Sequence, residues 1–320
     1  MIYEMSFNIT VGKYRIEAIE SVEVVKNIAN LADTAVITLP QFRQNKAIDF
    51  GDKIAEGDPV TVELGYNRSL TTEFKGYLKS ISANSGSLTL ECEDELYLFN
   101  KPLKDAEYKN ITLKSLLEKV VAQTDPKIRV ECDFEFGYDK FTFFKATGQD
   151  VLKTVQDESK ADIYFRDGTL HVHAPYFKVA NQKTVKYDFG KNVESADLKY
   201  LTARQKNIEV EVIYTDAKGK RKSQKFGKQG GAKETIVVRS ATEASAQKAA
   251  QNAHARLSFD GYEGSITGWL IPFVEPACVV RLHDSAYPHR DGDYFVTSVE
   301  TKFSQAGGVR SVKIGKKTGD

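Results

Sequence analysis

Pro59-Val60-Thr61-Val62-Glu63-Leu64, with Gly76-Tyr77-Leu78-Lys79-Ser80-Ile81 after it, reads much like Pro276-Ala277-Cys278-Val279-Val280-Arg281-Leu282 followed by Asp293-Tyr294-Phe295-Val296-Thr297-Ser298-Val299. Leu64 and Tyr77 stand 13 positions apart, Leu282 and Tyr294 stand 12 apart. A further alternating stretch follows each pair, Leu88-Thr89-Leu90-Glu91-Cys92 in the first and Val309-Arg310-Ser311-Val312-Lys313-Ile314 in the second. Apolar residues at every second position mark a strand with one buried face. The chain is therefore expected to carry one strand-rich unit twice. Three copies of such a chain would present six similar units in a ring, which would let a trimer meet a six-fold partner.

Outward from these stretches, period two governs residues 1–98. Phe7, Ile9 and Val11 alternate with polar neighbours, as do Val22 and Val24, then Val36 and the Leu39 end of its segment. Turn residues at Gly12, Asn30, Gly51, Gly57-Asp58-Pro59, Asn67 and Asn84 to Gly86 break the run at short intervals, which suits an antiparallel barrel. The period changes in residues 99–194. Thr112 is placed to cap a helix carrying Leu113, Leu116, Leu117, Val120 and Val121, with Pro126 just beyond it. Thr147 with Asp150 three residues later is a variant capping box for a second helix bearing Val151, Leu152 and Val155. Strand-like segments at 128–132, 141–144, 163–165 and 170–172 make this an α/β module, with Arg166-Asp167-Gly168 as a hairpin turn. Residues 195–320 read as a second barrel, interrupted by an alanine-rich helix at about 241–257 that is expected to cover it. The fold class is thus mainly β: two similar antiparallel β-barrel domains plus a helix-containing α+β domain.

Composition narrows the function. Lys plus Arg number 45 and Asp plus Glu 44, a balance that disfavours nucleic acid as a partner. Lys218, Lys220, Arg221 and Lys222 flank Gly219 and read as a solvated hairpin tip. Cys92, Cys132 and Cys278 form neither a C-x-x-C pair nor an even set, so a disulfide framework and a zinc site are not expected and folding in a reducing cytosol is. The N-terminus lacks the pattern of a secretory signal, and no apolar run is long enough to cross a bilayer.

Four stretches resemble a known family: Gly57 to Gly65 with Phe74-Lys75-Gly76-Tyr77; Thr112 to Val120; Ala161 to Leu170; and Pro276 to Leu282 with Tyr294 to Thr301. Together with the order barrel, α/β module, barrel, they are similar to the late control D proteins of contractile phage tails, the baseplate hub, related to the hub part of type VI secretion spike proteins. The resemblance implies a homotrimeric ring of pseudo-six-fold symmetry that joins the hexameric tail tube to the central spike and contacts other baseplate proteins, in a virion assembled in the bacterial cytoplasm. It implies that the first barrel docks the tube. Ala277-Cys278 stands where the family pattern has Gly-Asp, so the turn into the second barrel is expected to differ. As the sequence stops at Asp320, any spike or lysozyme part is expected on a separate chain.

Chemistry-bearing residues are sparse. His171 and His173 alternate on a predicted strand, as a metal would require, but no carboxylate or Cys stands at a ligand-like offset nearby in sequence, so both are read as structural. Glu91, Glu93, Asp94 and Glu95 offer paired carboxylates for a tail-associated cell-wall hydrolase, yet Glu91, Glu93 and Glu95 read more simply as one solvated strand face. Trp269, Tyr262 and Phe273 could stack on sugars, which makes a carbohydrate-binding barrel the main alternative. The chain is expected to be no enzyme, with no catalytic, cofactor-binding or metal-binding residues and no cofactor.

Overall fold

The computed structural model describes residues 4–40, 42–43, 46–47, 53–84, 86–177, 184–202, 207–239 and 241–318. The N-terminal part is all strand: β1 (Met5–Val11), β2 (Tyr14–Ile16), β3 (Ser21–Asn27), β4 (Thr34–Pro40), the short pair β5 (Phe42–Arg43) and β6 (Lys46–Ala47), then β7 (Pro59–Tyr66), β8 (Ser69–Asn84) and β9 (Ser87–Glu93). All but the short pair join antiparallel in the order β3-β4-β9-β8-β7-β1-β2. Ile16 at one end of that order shares a core with Val22 and Val24 at the other, so the sheet curls around Ile9, Val11, Ile37, Leu39, Val60, Val62, Leu64, Leu78 and Leu90. On β4 the inward residues are Ala35, Ile37 and Leu39, as expected for Leu39, whereas Val36 faces out, contrary to expectation. Asn67 and Arg68, at φ 52° and 65°, form the two-residue turn between β7 and β8, and this is where asparagine's tolerance of left-handed backbone is needed.

The middle of the chain holds β10 (Ala106–Thr112), α1 (Leu113–Thr124), β11 (Arg129–Cys132), β12 (Gly137–Phe143), α2 (Gly148–Ser159), β13 (Asp162–Arg166) and β14 (Thr169–His173). Both helices begin as the caps dictate. Thr112 Oγ1 accepts from Ser115 N at 3.2 Å, and Thr147 Oγ1 accepts from Asp150 N while the Asp150 carboxylate accepts from Thr147 N. Asp167 and Gly168 turn β13 back onto β14 with positive φ at both positions, and β11 joins the other edge of β14 in parallel.

After β15 (Val185–Asp188) and β16 (Ser195–Leu201), the chain forms β17 (Ile208–Thr215), β18 (Arg221–Gly227), β19 (Ala232–Val238) and α3 (Glu243–Leu257), and closes with β20 (Gly261–Trp269), β21 (Val279–His283), β22 (Gly292–Ser304) and β23 (Gly307–Thr318). The expected grouping of 195–320 into one barrel is met only in part. Strands β17 to β19 make their own small sheet, and α3 lies on it and against α2 instead of on the barrel. Ala246, Ala249, Ala250 and Ala253 bring the helix close to Val210, Val212, Tyr214, Ile236 and Val238, in one core with Leu116, Leu117 and Val120 of α1 and Leu152 and Val155 of α2. Asn252 Nδ2 donates to Ser159 O at 3.0 Å, and the Arg256 guanidinium donates to Asp162 at 2.5 Å, fixing α3 to the module.

The second curled sheet therefore consists of β15, β16 and β20 to β23, and it recruits β15 from residues expected to belong to the module. β15 pairs with β21 in parallel, where an all-antiparallel barrel was expected. Its core is Tyr187, Ile266, Val280, Leu282, Tyr294, Val296, Val299, Val312 and Ile314. The two echoing stretches are both antiparallel meanders, β7-β8-β9 and β21-β22-β23. Their pairing registers differ: Tyr77 faces Pro59, whereas Tyr294 faces Val280.

One strand joins the two. β22 pairs with β21 through Gly292 to Phe295 and then, on the same edge, with β3 through Ser298 to Ser304. The result is one 13-stranded sheet. At the seam Arg310 Nη2 donates to Glu73 Oε1 at 2.6 Å and Nη1 to Glu73 Oε2 at 3.0 Å, with both side chains at most 2% exposed. Glu73 reaches inward because it is the unpaired residue of a β-bulge: Val62 faces Phe74 and Glu63 faces Thr72, so Glu73 and Phe74 are buried in succession. Leu270 O accepts from Arg310 Nε and Nη2, and Thr301 Oγ1 accepts from Nη1. Replacing Arg310 alone with Met strands a buried carboxylate and is expected to cost about 3–5 kcal/mol in urea unfolding. Glu73→Leu combined with Arg310→Met is expected to recover most of that loss, and equal destabilisation by the single and double variants would contradict this account.

Candidate functional site

Residues from all three parts of the chain converge at the seam. Lys26 on β3 donates to Glu275 Oε1 at 2.7 Å, just ahead of β21. Arg166, in the β13–β14 hairpin, donates to Pro276 O at 2.7 Å and lies 3.7 Å from Glu275 Oε2. Burial works to raise the Glu275 carboxyl, but Lys26 and Arg166 outweigh it and hold it below its usual range. These groups line a cleft of about 650 Å³ together with Asp33, Lys75, Asp94 and Phe273. The Phe273 ring carries the Arg310 guanidinium at 5.1 Å and the Lys26 ammonium at 5.8 Å. Ile28 and Phe295 from the two curled sheets meet Tyr164 and Tyr176 from the middle part in a further small apolar cluster.

Two carboxylates sit at the cleft wall. Asp94 accepts from Leu96 N, starting the 3-10 turn Glu95–Asn100, and from Asp33 N; Asp33 accepts in turn from Asn27 N. Burial lifts the Asp33 carboxyl to about 6 against the pull of Lys26. Burial, and next the neighbouring Asp33 charge, raise that of Asp94 well above the usual range. In the module, burial likewise raises Glu158 to about 7 and Asp162 to about 6, the latter against the pull of Arg256.

The sequence-predicted groups are distributed as follows. Glu91 is exposed and accepts from Ser80 Oγ at 2.9 Å, but Glu93 is 4% exposed with Lys79 Nζ 3.4 Å away, so the two do not share a solvated face as expected. The reason is the turn that Asp94 initiates, which folds Glu95–Asn100 over the strand end. Of the possible sugar platform, Trp269 is exposed, Tyr262 is buried in the second core and Phe273 lies under two cations, so the three present no common face. Lys218 to Lys222 cap an exposed hairpin whose turn is tied by Asp216, which accepts from Lys218 N and Lys220 N. All three cysteines are free. His171 and His173 point to one side of β14, as expected, but β11 sets Glu131 opposite His171, a carboxylate that sequence offset did not suggest. The seam leaves no local trace in the sequence, since Glu73 and Arg310 are 237 residues apart and each sits in an ordinary-looking strand. Trp269, Ile271, Tyr200 and Tyr287 are each more than half exposed, an unusual amount of bare apolar surface.

No protein-family model matches the sequence, and no curated protein matches it. Solved structures do. The chain is similar over 98% of its length, and over 97% of the other chain, to a tail protein from Neisseria meningitidis MC58, at 15% identity and a TM-score of 0.69. It is similar over 98% of both chains to the 43 kDa tail protein of prophage MuSo2 from Shewanella oneidensis, at 16% identity and a TM-score of 0.68. The E. coli c3393 protein, a component of the type VI secretion system with structural similarity to the T4 tail proteins gp27 and gp5, matches at 9% identity and a TM-score of 0.65, over 98% of this chain and 77% of that one. The chain thus has the fold of phage tail and secretion-system tail-like proteins.

The raised carboxyls set a pH dependence. Between an unfolded value of 3.8 and the folded value of about 6, the folded form of Asp33 holds more protons than the unfolded form, so stability from this group is greatest at low pH and is lost as pH rises through the folded value. Asp94, Glu158 and Asp162 act in the same direction. The urea midpoint is expected to be higher near about pH 5 than near about pH 8. Asp33→Asn keeps an acceptor for Asn27 N and is expected to shrink the difference; an unchanged pH slope would refute the assignment.

Proposed function

We propose that this chain is the structural baseplate hub protein of a contractile phage tail or a phage-derived injection apparatus. Three copies form a ring in which two curled sheets per chain supply six similar walls around a channel. The observation that carries this reading is the single 13-stranded sheet, in which β22 serves both curled sheets and so fixes their relative position within one chain. The likeness to tail proteins over nearly the whole chain supports it.

In this reading residues 1–98 dock the hexameric tail tube. Residues 99–194, extended by the β17–β19 sheet and α3, form the outer α/β unit, and the remainder of 195–320 forms the second wall. The central spike binds the opposite face of the ring, and other baseplate proteins bind its periphery. The work is geometric and non-enzymatic. The protein acts in the virion after assembly in the host cytoplasm. No cofactor takes part in joining tube to spike, and the scattering of Trp269, Tyr262 and Phe273 speaks against a sugar platform.

Light scattering on the purified chain tests the proposal: the expected mass is three times 35.8 kDa, seen end-on as a six-walled ring in electron micrographs. A strict monomer that binds glycans would overturn it. Trp269 and Ile271 are assigned to the subunit contact because they are exposed, apolar and two residues apart at the end of β20. Trp269→Asp with Ile271→Asp is expected to weaken trimer formation at least about thirtyfold, the scale of a central aromatic anchor in an interface. A sedimentation profile identical to that of the unaltered chain would remove these residues from the contact.

A further inference from the structure

β11 and β14 run parallel and set Glu131 directly opposite His171, and His173 follows two residues later on the same face of β14. His171 Nδ1 lies 3.3 Å from Glu131 Oε2. One ligand atom from each of Glu131, His171 and His173 falls within 4.8 Å of the others. His173 Nδ1 lies 2.8 Å from Asp133 Oδ1. An ionised carboxylate only accepts, so a neutral ring donates from Nδ1 and has its lone pair on Nε2. That Nε2 belongs to a side chain 3% exposed and, among the described residues, has no hydrogen-bond partner. A buried polar atom left this way carries a desolvation penalty unless something binds it.

Both rings are held before any ligand arrives. Tyr164 stacks on His171 at 5.1 Å and 15°, and Phe177 stacks on His173 at 4.7 Å and 9°. We propose that Glu131, His171 and His173 form a site for one divalent cation of the zinc class, with Asp133 as the positioning residue that fixes the His173 ring. Two imidazoles and one carboxylate suit zinc, nickel or cobalt and are poorly matched to calcium or magnesium, which prefer all-oxygen shells. Bonds of about 2.0–2.2 Å in tetrahedral geometry need ligand atoms roughly 3.3–3.5 Å apart. The site therefore contracts on binding, and the exposed Glu131 side chain has the freedom to do so. Water completes the fourth position.

The ion would clamp β11 to β14. The β13–β14 hairpin also carries Arg166, which reaches Glu275 and Pro276 at the seam, so the bound metal would stiffen the module where it meets the second curled sheet. The site is independent of the proposed assembly role. It holds for one chain in any oligomeric state.

Titration calorimetry of the full chain, stripped with EDTA and dialysed, tests the site with zinc chloride as the probe. One zinc per chain is expected, and cobalt in its place should give the visible absorption of a tetrahedral site. Because His173 is buried, the decisive variants are Glu131→Gln and His171→Asn at the open side, with circular dichroism confirming that they fold. Each is expected to weaken zinc binding at least tenfold, and Asp133→Asn is expected to weaken it by about 10–100-fold while one zinc still binds. Zinc binding unchanged by Glu131→Gln and His171→Asn, as would follow from sites at His254, His283 or His289, overturns the proposal, and so does the absence of any zinc binding.

Discussion

The architecture depends on a single buried ion pair at a place where two sheets become one. β22 exchanges partners partway along its length, leaving β21 and taking up β3. Backbone ladders alone do not specify that exchange, because a strand slipped along its neighbour forms as many hydrogen bonds in a wrong register. Arg310 removes the ambiguity: its donors are engaged by Glu73 on β8, Thr301 on β22 and the Leu270 carbonyl beyond β20, so three segments must arrive together. Such a pair gives little net stability over a well-packed apolar replacement. Its contribution is to make the alternatives costly, since any displacement leaves a charge stranded in a core.

Apolar burial supplies most of the stabilisation and the ion pair supplies direction. Leu270 and Phe303, from the second half of the chain, lie in the core of the first curled sheet. Tyr66 Oη, from the first half, donates to Gly308 O at 3.1 Å. The second tier of charge, Lys26 with Glu275 and Arg166, then ties in the α/β part, and Phe295 on β22 fills the space beneath it. β22 is consequently buried on both faces where it meets the module, which accounts for the uninterrupted buried run Tyr294-Phe295-Val296. Strict alternation would have placed Phe295 in solvent.

Local chemistry was legible in the sequence wherever a few neighbouring residues decide the outcome. Thr112 and Thr147 cap their helices, Asp167-Gly168 turns its hairpin, and the echoing stretches form meanders of the same topology. What was not legible depends on residues distant in sequence. The alternation of Ile208 to Tyr214 announces a strand but not which sheet receives it, and the alanine face of α3 fits a sheet of the module as well as it would a barrel. Val36 on β4 faces out although Leu39 faces in as expected, because Val36 and Ile37 are both β-branched and apolar and hydrophobicity cannot say which of them is buried. Glu93 looked solvated until the turn beyond it covered the strand end. Glu131 and His171 are adjacent only because β11 runs parallel to β14, a pairing that leaves no trace in spacing.

The departures between the two curled sheets bear on how a three-fold ring could serve a six-fold partner. They share the meander but differ in pairing register, and one contains a parallel pair, so no list of equivalent side chains relates them. In the proposed ring, a six-fold partner meeting alternate walls would therefore find two related meanders presenting different side chains. Contacts that tolerate this are those made through backbone, shape and long-range charge rather than through paired side chains.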